Sequence, residues 1–177
     1  LIILNTCHIR EKAAEKIYSE LGRLKKINNK NDKNPKIAVA GCVGQAEGQE
    51  IINRSPIVDL VFGPLTYHQL PEMLESIETD KGFPRKKLVN IEIPDIDKFD
   101  QLKGSRKSLR SISSLLSVQE GCDKFCSFCV VPYTRGVEIS RPASQITKEA
   151  IDLIENGAKE IILLGQNVNA WFGKGLD

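Results

Sequence analysis

Apolar and polar positions fall into alternating blocks of two periods along the first half of the chain. Residues 1–5 (LIILN) form a short apolar run of the kind that builds a buried strand. Over 9–27, Ala13, Ala14, Ile17, Tyr18, Leu21, Leu24 and Ile27 lie on one stripe of a 3.6-residue helix. Residues 28–35 are polar and rich in turn formers, which predicts a loop. A second buried strand is predicted over 36–40 (KIAVA), ending at Gly41, and then a helix over 43–53 that Gly44 and Gly48 weaken. Residues 57–62 (IVDLVF) predict a third strand, closed by Gly63 and Pro64. Thr66 is placed to cap a helix whose inward face is Leu70, Met73, Leu74 and Ile77.

Residues 79–111 interrupt this rhythm. They hold Pro84, Pro94 and a basic cluster of Arg85, Lys86, Lys87, Lys103, Arg106, Lys107 and Arg110, and read as a solvated inter-domain linker. Within them, 88–93 is an extended piece able to pair at a sheet edge. The alternation resumes at 112, with a strand over 114–119, a cysteine-rich loop, a helix over 144–155 and a strand over 160–164 that ends at Gly165. Strands alternating with helices predict an α/β fold of parallel sheet and crossover helices. The expected division is a first domain over 1–78, the basic linker over 79–111 and a second domain over 112–177. One βαβ unit cannot bury both faces of its sheet, and the chain opens inside a strand without Met. Both domains are therefore expected to be truncated.

Composition excludes little but is consistent with a core-forming protein: 41% of residues are hydrophobic and 27% charged. A net charge of +2 is too slight to argue for nucleic acid by itself. No apolar run approaches the roughly 18 residues a membrane span needs, and no secretory leader is recognisable. No membrane partner and a cytoplasmic location are the expectations. Five cysteines in such a chain favour metal ligation or catalysis over disulfides.

Three of the five form the central motif, EGCDKFCSFC over 120–129. Cys122, Cys126 and Cys129 have C-x-x-x-C-x-x-C spacing directly after a predicted strand. Three thiolates on one short loop suit three irons of a [4Fe–4S] cube, leaving the fourth iron open to the amino and carboxylate groups of S-adenosylmethionine (SAM). A zinc site would use paired C-x-x-C units with four ligands, yet His8 and His68 are distant in sequence. A ferredoxin-type site would need a fourth cysteine. Phe128 offers an apolar wall beside the cluster, or simple loop packing. Cys7 and Cys42 each lie just past a predicted strand, at the edge where open α/β sheets bind ligands; the plainer reading makes them small buried hydrophobes.

These segments resemble the methylthiotransferase branch of the radical SAM superfamily across nearly the whole chain. The resemblance is carried by NTCHIREKAAEK (5–16), GCVGQAEG (41–48), DLVFGP (59–64), SVQEGCDKFCSFCVVPYTRGVEISRP (117–142) and LLGQNVNAW (163–171). VVPYTRG and GQNVNAW are similar to the members that modify dimethylallyl adenosine in tRNA, whereas those acting on a ribosomal protein or on threonylcarbamoyl-adenosine in tRNA look different at GQNVNAW. The resemblance implies a truncated parallel α/β methylthiotransferase domain, followed by the first βα units of a radical SAM partial (β/α) barrel. It implies two [4Fe–4S] clusters. Cys122, Cys126 and Cys129 would hold the one that binds SAM. Cys7 and Cys42 match two of the three ligands of the auxiliary one, the third lying upstream. The implied reaction is methylthiolation at C2 of N(6)-dimethylallyl adenosine beside the anticodon, with SAM as methyl donor and radical source.

The implied partners are the tRNA anticodon stem-loop, a low-potential electron donor and a sulfur or iron–sulfur carrier. Gly165, Gln166 and Asn167 fall where this superfamily contacts the SAM amino group, unless they form only a polar turn. Arg135 and Arg141 can meet a carboxylate or phosphate through paired donors, or form salt bridges, and Tyr133 lies between them and the cluster loop. Trp171 can stack on a base but equally suits a core. These 177 residues alone are expected to be inactive. The rival readings are a methylthiotransferase with another substrate and a non-catalytic iron–sulfur or zinc module.

Overall fold

The computed structural model describes residues 1–8, 11–28, 35–79, 86–93, 99 and 112–173. Residues 29–34 of the loop expected over 28–35 and most of the basic linker, including Arg85, Lys103, Arg106, Lys107 and Arg110, lie outside these residues. The chain divides into two compact units, Leu1–Asp95 and Ile96–Asp177.

The first unit is built on a four-stranded sheet of β1 (Ile2–Thr6), β2 (Ile37–Gly41), β3 (Leu60–Phe62) and β4 (Leu88–Asn90), in that spatial order. All three pairings are parallel. Parallel neighbours need crossovers, supplied here by α1 (Glu11–Asn28), by α2 (Cys42–Glu47) with α3 (Gln49–Arg54), and by α4 (Leu70–Glu78). Side chains alternate across the sheet. Ile37, Val39 and Val61 pack with Ile17, Leu21 and Leu24 of α1 and with Val43, Ile51 and Ile52 of α2 and α3. On the other face, Ala38, Ala40, Leu60 and Phe62 pack with Met73 and Ile77 of α4. β2 is thus covered on both sides and all five of its residues are buried, as its unbroken apolar run requires.

Three elements of this unit differ from expectation. The helix expected over 43–53 divides at Gly48, whose φ of +47° and ψ of −120° a helix interior does not accept. The third strand is shorter than 57–62 because Pro56 and Ile57 form a turn closed by Val58 N–H donating to the Ser55 carbonyl at 3.0 Å. Thr66 makes no side-chain cap; its hydroxyl lies 3.3 Å from the Gly63 carbonyl and a 3-10 turn, Tyr67–Gln69, intervenes before α4. Pro71 is then the second residue of α4, within the first turn, where a missing N–H costs nothing. Within 88–93, Leu88–Asn90 does pair, as the edge strand β4.

The second unit pairs β5 (Ser113–Ser117) with β8 (Glu160–Leu164) in parallel. The crossover contains α5 (Val131–Arg135) and α6 (Ala143–Glu155). The strand expected over 114–119 is two elements, because the chain changes partner at Val118. Beyond it, β6 (Gln119–Glu120) pairs antiparallel with β7 (Ile139–Ser140). No residue of α6 is fully buried, and Ile162, Leu163 and Leu164 of β8 stay 43%, 50% and 37% exposed. No described helix is long and apolar enough to cross a membrane.

Candidate metal centres

The register of the first sheet decides where its cysteines fall. Thr6 is paired with Gly41, so Cys7 and Cys42 are the next residues out from neighbouring strand ends. Cys7 is exposed and Cys42 is buried at the start of α2. Two glycines shape this edge of the sheet. A Cβ on Gly44 would lie 2.6 Å from the Phe62 carbonyl oxygen, so α2 rests directly on the end of β3. Gly41 adopts φ +87° and ψ −160°, a region reserved to glycine. Beside it, Asn5 Oδ1 accepts a hydrogen bond from the Tyr67 hydroxyl at 2.8 Å, and the Tyr67 ring meets Phe62 edge-on at 5.3 Å. Gln45 Nε2 donates to the Ile91 carbonyl at 2.6 Å, tying this end of the sheet to the chain leaving β4.

A cleft of about 410 Å³ is lined by His8, Ala14, Glu15, Tyr18, Glu47 and Arg54. The Tyr18 hydroxyl donates to Glu47, and the Arg54 guanidinium stacks 3.7 Å from the ring centroid. Burial first, then the hydrogen bond and charge of Glu47, push the Tyr18 hydroxyl up from 10.0 to about 12. The folded state holds this proton more tightly than the unfolded chain. The stabilising share is therefore fully present below pH ~10 and is lost as pH rises through about 12. Urea melts across that window are expected to fall more steeply for the wild type than for Tyr18→Phe; parallel curves would count against this linkage.

In the second unit the strand ends carry the cysteine triplet. Val118 N–H donates to the Leu164 carbonyl at 2.9 Å, β6 follows, and the chain leaves regular structure at Gly121. Cys122 is buried, Cys129 half-buried and Cys126 exposed. The loop is held by Cys122 N–H to the Gly136 carbonyl (3.3 Å), Cys129 N–H to the Cys126 carbonyl (2.9 Å) and Glu138 N–H to Asp123 Oδ1 (3.0 Å). Phe125 is a non-glycine residue at φ +46°, its ring edge-on to Tyr133 at 6.2 Å. Phe128 is 93% exposed.

Gly165, Gln166 and Asn167 are brought to the start of this loop. Gln166 Oε1 accepts from Gly121 N–H at 2.7 Å, and Gln119 Oε1 accepts from Asn167 N–H at 3.0 Å. The two arginines are engaged from behind. Arg135 Nη1 lies 2.7 Å from Glu120 Oε1. Arg141 is buried, with Nη1 2.7 Å from both Glu149 Oε2 and the Ser117 carbonyl, and its guanidinium carbon 5.1 Å from the Phe99 ring centroid. Trp171 is half-buried and its indole N–H donates to the Arg141 carbonyl at 3.0 Å. Gln119 and Glu120, not singled out from the sequence, are 2% and 5% exposed at the heart of this arrangement. The available signal was a polar pair directly ahead of a cysteine loop.

Among the described residues, no three His, Cys, Asp or Glu side chains converge closely enough to hold a metal ion. The fit to a cluster is therefore one of donor chemistry. Three thiols on a short irregular loop, fixed at both ends, are soft ligands of the type that iron–sulfur clusters and zinc select.

Comparison with known proteins bears on which. Residues 1–63 match the family described as Uncharacterized protein family UPF0004. The chain is 58% identical over 175 residues (99% of the chain, 38% of the relative) to a tRNA-2-methylthio-N(6)-dimethylallyladenosine synthase of Ruegeria pomeroyi. It is 59% identical over 179 residues (98% and 38%) to the synthase of Bartonella quintana. The Roseobacter denitrificans synthase is 56% identical over 177 residues (100% and 39%). Over nearly its whole length the chain is similar to these methylthiotransferases. Both cysteine-bearing edges of the chain lie within the matched stretch, which spans about two-fifths of the length of these curated relatives.

Proposed function

We propose that this chain is part of a cytoplasmic tRNA methylthiotransferase, acting at C2 of N(6)-dimethylallyladenosine beside the anticodon. The observation that carries this is 56–59% identity, over 98–100% of the chain, to relatives bearing that name. In this reading Cys122, Cys126 and Cys129 hold a [4Fe–4S] cluster, and Cys7 and Cys42 contribute to an auxiliary one. When bound, the first cluster and SAM together supply one-electron chemistry able to activate an aromatic C–H that resists polar attack.

The chain's own residues bind and orient. Gly165, Gln166 and Asn167 would help hold SAM at the start of the loop, and the exposed Phe128 would offer the cofactor an apolar wall. Arg135 and Arg141 enter as supports of the loop through Glu120 and Ser117, and of the two the partly exposed Arg135 would keep donors for SAM or RNA. Residues 1–78 form the methylthiotransferase domain, 79–111 a basic linker and 112–177 the opening of a radical SAM partial (β/α) barrel. The exposed apolar residues of β8 support that last assignment, since further strands would bury them. The partners are a tRNA anticodon stem-loop, a low-potential electron donor and a sulfur or iron–sulfur carrier. Turnover belongs to the longer protein, and the 177 residues alone are proposed to be inactive.

Anaerobic reconstitution with iron and sulfide tests the reading. About four irons per chain are expected to disappear when Cys122, Cys126 and Cys129 are all changed to Ala. Addition of SAM is expected to alter the electron paramagnetic resonance of the reduced wild-type cluster. Stoichiometric zinc with no iron would sink the proposal.

A further inference from the structure

Two glutamine side chains cross between the strand-end loops of the second unit in opposite directions. Gln119, on β6 before the cysteines, reaches forward and accepts the Asn167 N–H at 3.0 Å. Gln166, in the loop after β8, reaches back and accepts the Gly121 N–H at 2.7 Å. The amide orientation of Gln119 is fixed chemically, because turning it over would set its NH2 against the Asn167 donor. Gln119 is 2% exposed, and its Nε2 is buried with no hydrogen-bond partner among the described residues. Burying half an amide unsatisfied is unfavourable, so packing alone does not account for a glutamine here. Gly165 completes the fit: a Cβ there would lie 2.7 Å from Gln119 Oε1, so only glycine leaves the carbonyl in place.

We infer that Gln119 and Gln166 form a reciprocal latch, which orders the cysteine loop and the loop after β8 as one unit and thereby sets cofactor affinity at this edge. The inference rests on the cluster-and-SAM reading for its consequence, but the latch itself is a property of the apoprotein. Both residues are positioning residues; neither ligates iron. Each carbonyl spends itself on a backbone N–H of the opposite loop, so loosening one loop removes the other's anchor. The unpaired Nε2 of Gln119 is left over for an acceptor arriving with the cofactor.

Hydrogen exchange and ligand binding in the intact protein test this with Gln119→Met, Gln166→Met and the double variant. Gln166 is exposed, so its variant is expected to fold even if loss of the buried Gln119 amide is less well tolerated. In the unloaded protein, either single substitution is expected to speed exchange at both the Asn167 and Gly121 amides by about tenfold, the loss of one well-formed hydrogen bond. The double variant is expected to be little worse than either single one, since two halves of one device are not additive. After reconstitution, iron per chain is expected to hold while the SAM dissociation constant rises about tenfold and the SAM-induced spectral change weakens. Exchange that changes only at each residue's own partner, or SAM affinity unaltered at full iron content, overturns the latch. A wild type that takes up no iron defeats the cluster reading instead, and the exchange measurements still decide whether the two loops move together.

Discussion

Gly121→Ala is expected to abolish iron uptake at the cysteine loop while leaving the first unit folded. Gly121 has φ +76°, and a Cβ there would lie 1.9 Å from the Val137 carbonyl oxygen, 2.6 Å from its carbon and 2.7 Å from the Gly136 oxygen. All three are backbone atoms, so no side-chain rotation relieves the contact. The chain opposite is itself special: Gly136 sits at φ 76° and ψ −167°, and its carbonyl receives the Cys122 N–H. A methyl group must therefore push β6 away from β7, and with them the first thiol of the triplet. Strain at the dihedral and overpacking together come to about 2–6 kcal/mol, enough to open a two-residue pairing. Gly157→Ala provides the control. It has φ +101° with no described atom within 4 Å of an added Cβ, so it isolates dihedral strain from collision. Iron per chain after anaerobic reconstitution reads the effect, with exchange at the Val61 amide reporting on the first unit. Full iron content in Gly121→Ala would refute the account.

The contrast between the two cysteine edges explains what the sequence could and could not disclose. β2 was legible because residues 37–40 (IAVA) are buried on both faces, and a strand in that position must be apolar throughout. The triplet stood out because cysteines grouped on one loop leave their spacing in the sequence. Gly44 and Gly48 looked like equivalent weaknesses in one helix, yet they do different things. Gly44 lets α2 touch the Phe62 carbonyl, whereas Gly48 ends the helix. Gln119 and Glu120 escaped notice because polar residues are ordinarily exposed. Their partners, Asn167 N–H at a separation of 48 residues and Arg135 at 15, leave no local pattern. β7 and α5 were missed for a related reason: two and five residues are too short to establish a period. What pairing and spacing specify locally can be read; what a distant partner specifies has to be seen.

Gly41→Ala is expected to cost the first unit about 2–5 kcal/mol and to part Cys7 from Cys42. The glycine-only dihedrals account for part of this, and a Cβ would sit 2.4 Å from Asn5 Oδ1 and 2.7 Å from the Thr6 carbonyl oxygen. These two contacts differ in kind. The Asn5 amide can swing aside by giving up its hydrogen bond from Tyr67, but the Thr6 carbonyl belongs to β1 and moves only with the strand. Since Thr6 is the residue paired with Gly41, the displacement falls at the strand end that presents Cys7. Denaturant melts measure the first effect. A short bifunctional thiol reagent, applied where Cys122, Cys126 and Cys129 are changed to Ser, measures the second as a fall in Cys7–Cys42 crosslinking. Adding Asn5→Ala removes the first collision and leaves the second, so the double variant should recover only a minor part of the stability. Recovery to within about 0.5 kcal/mol of Asn5→Ala alone would place the whole cost in the amide and leave the backbone argument without support.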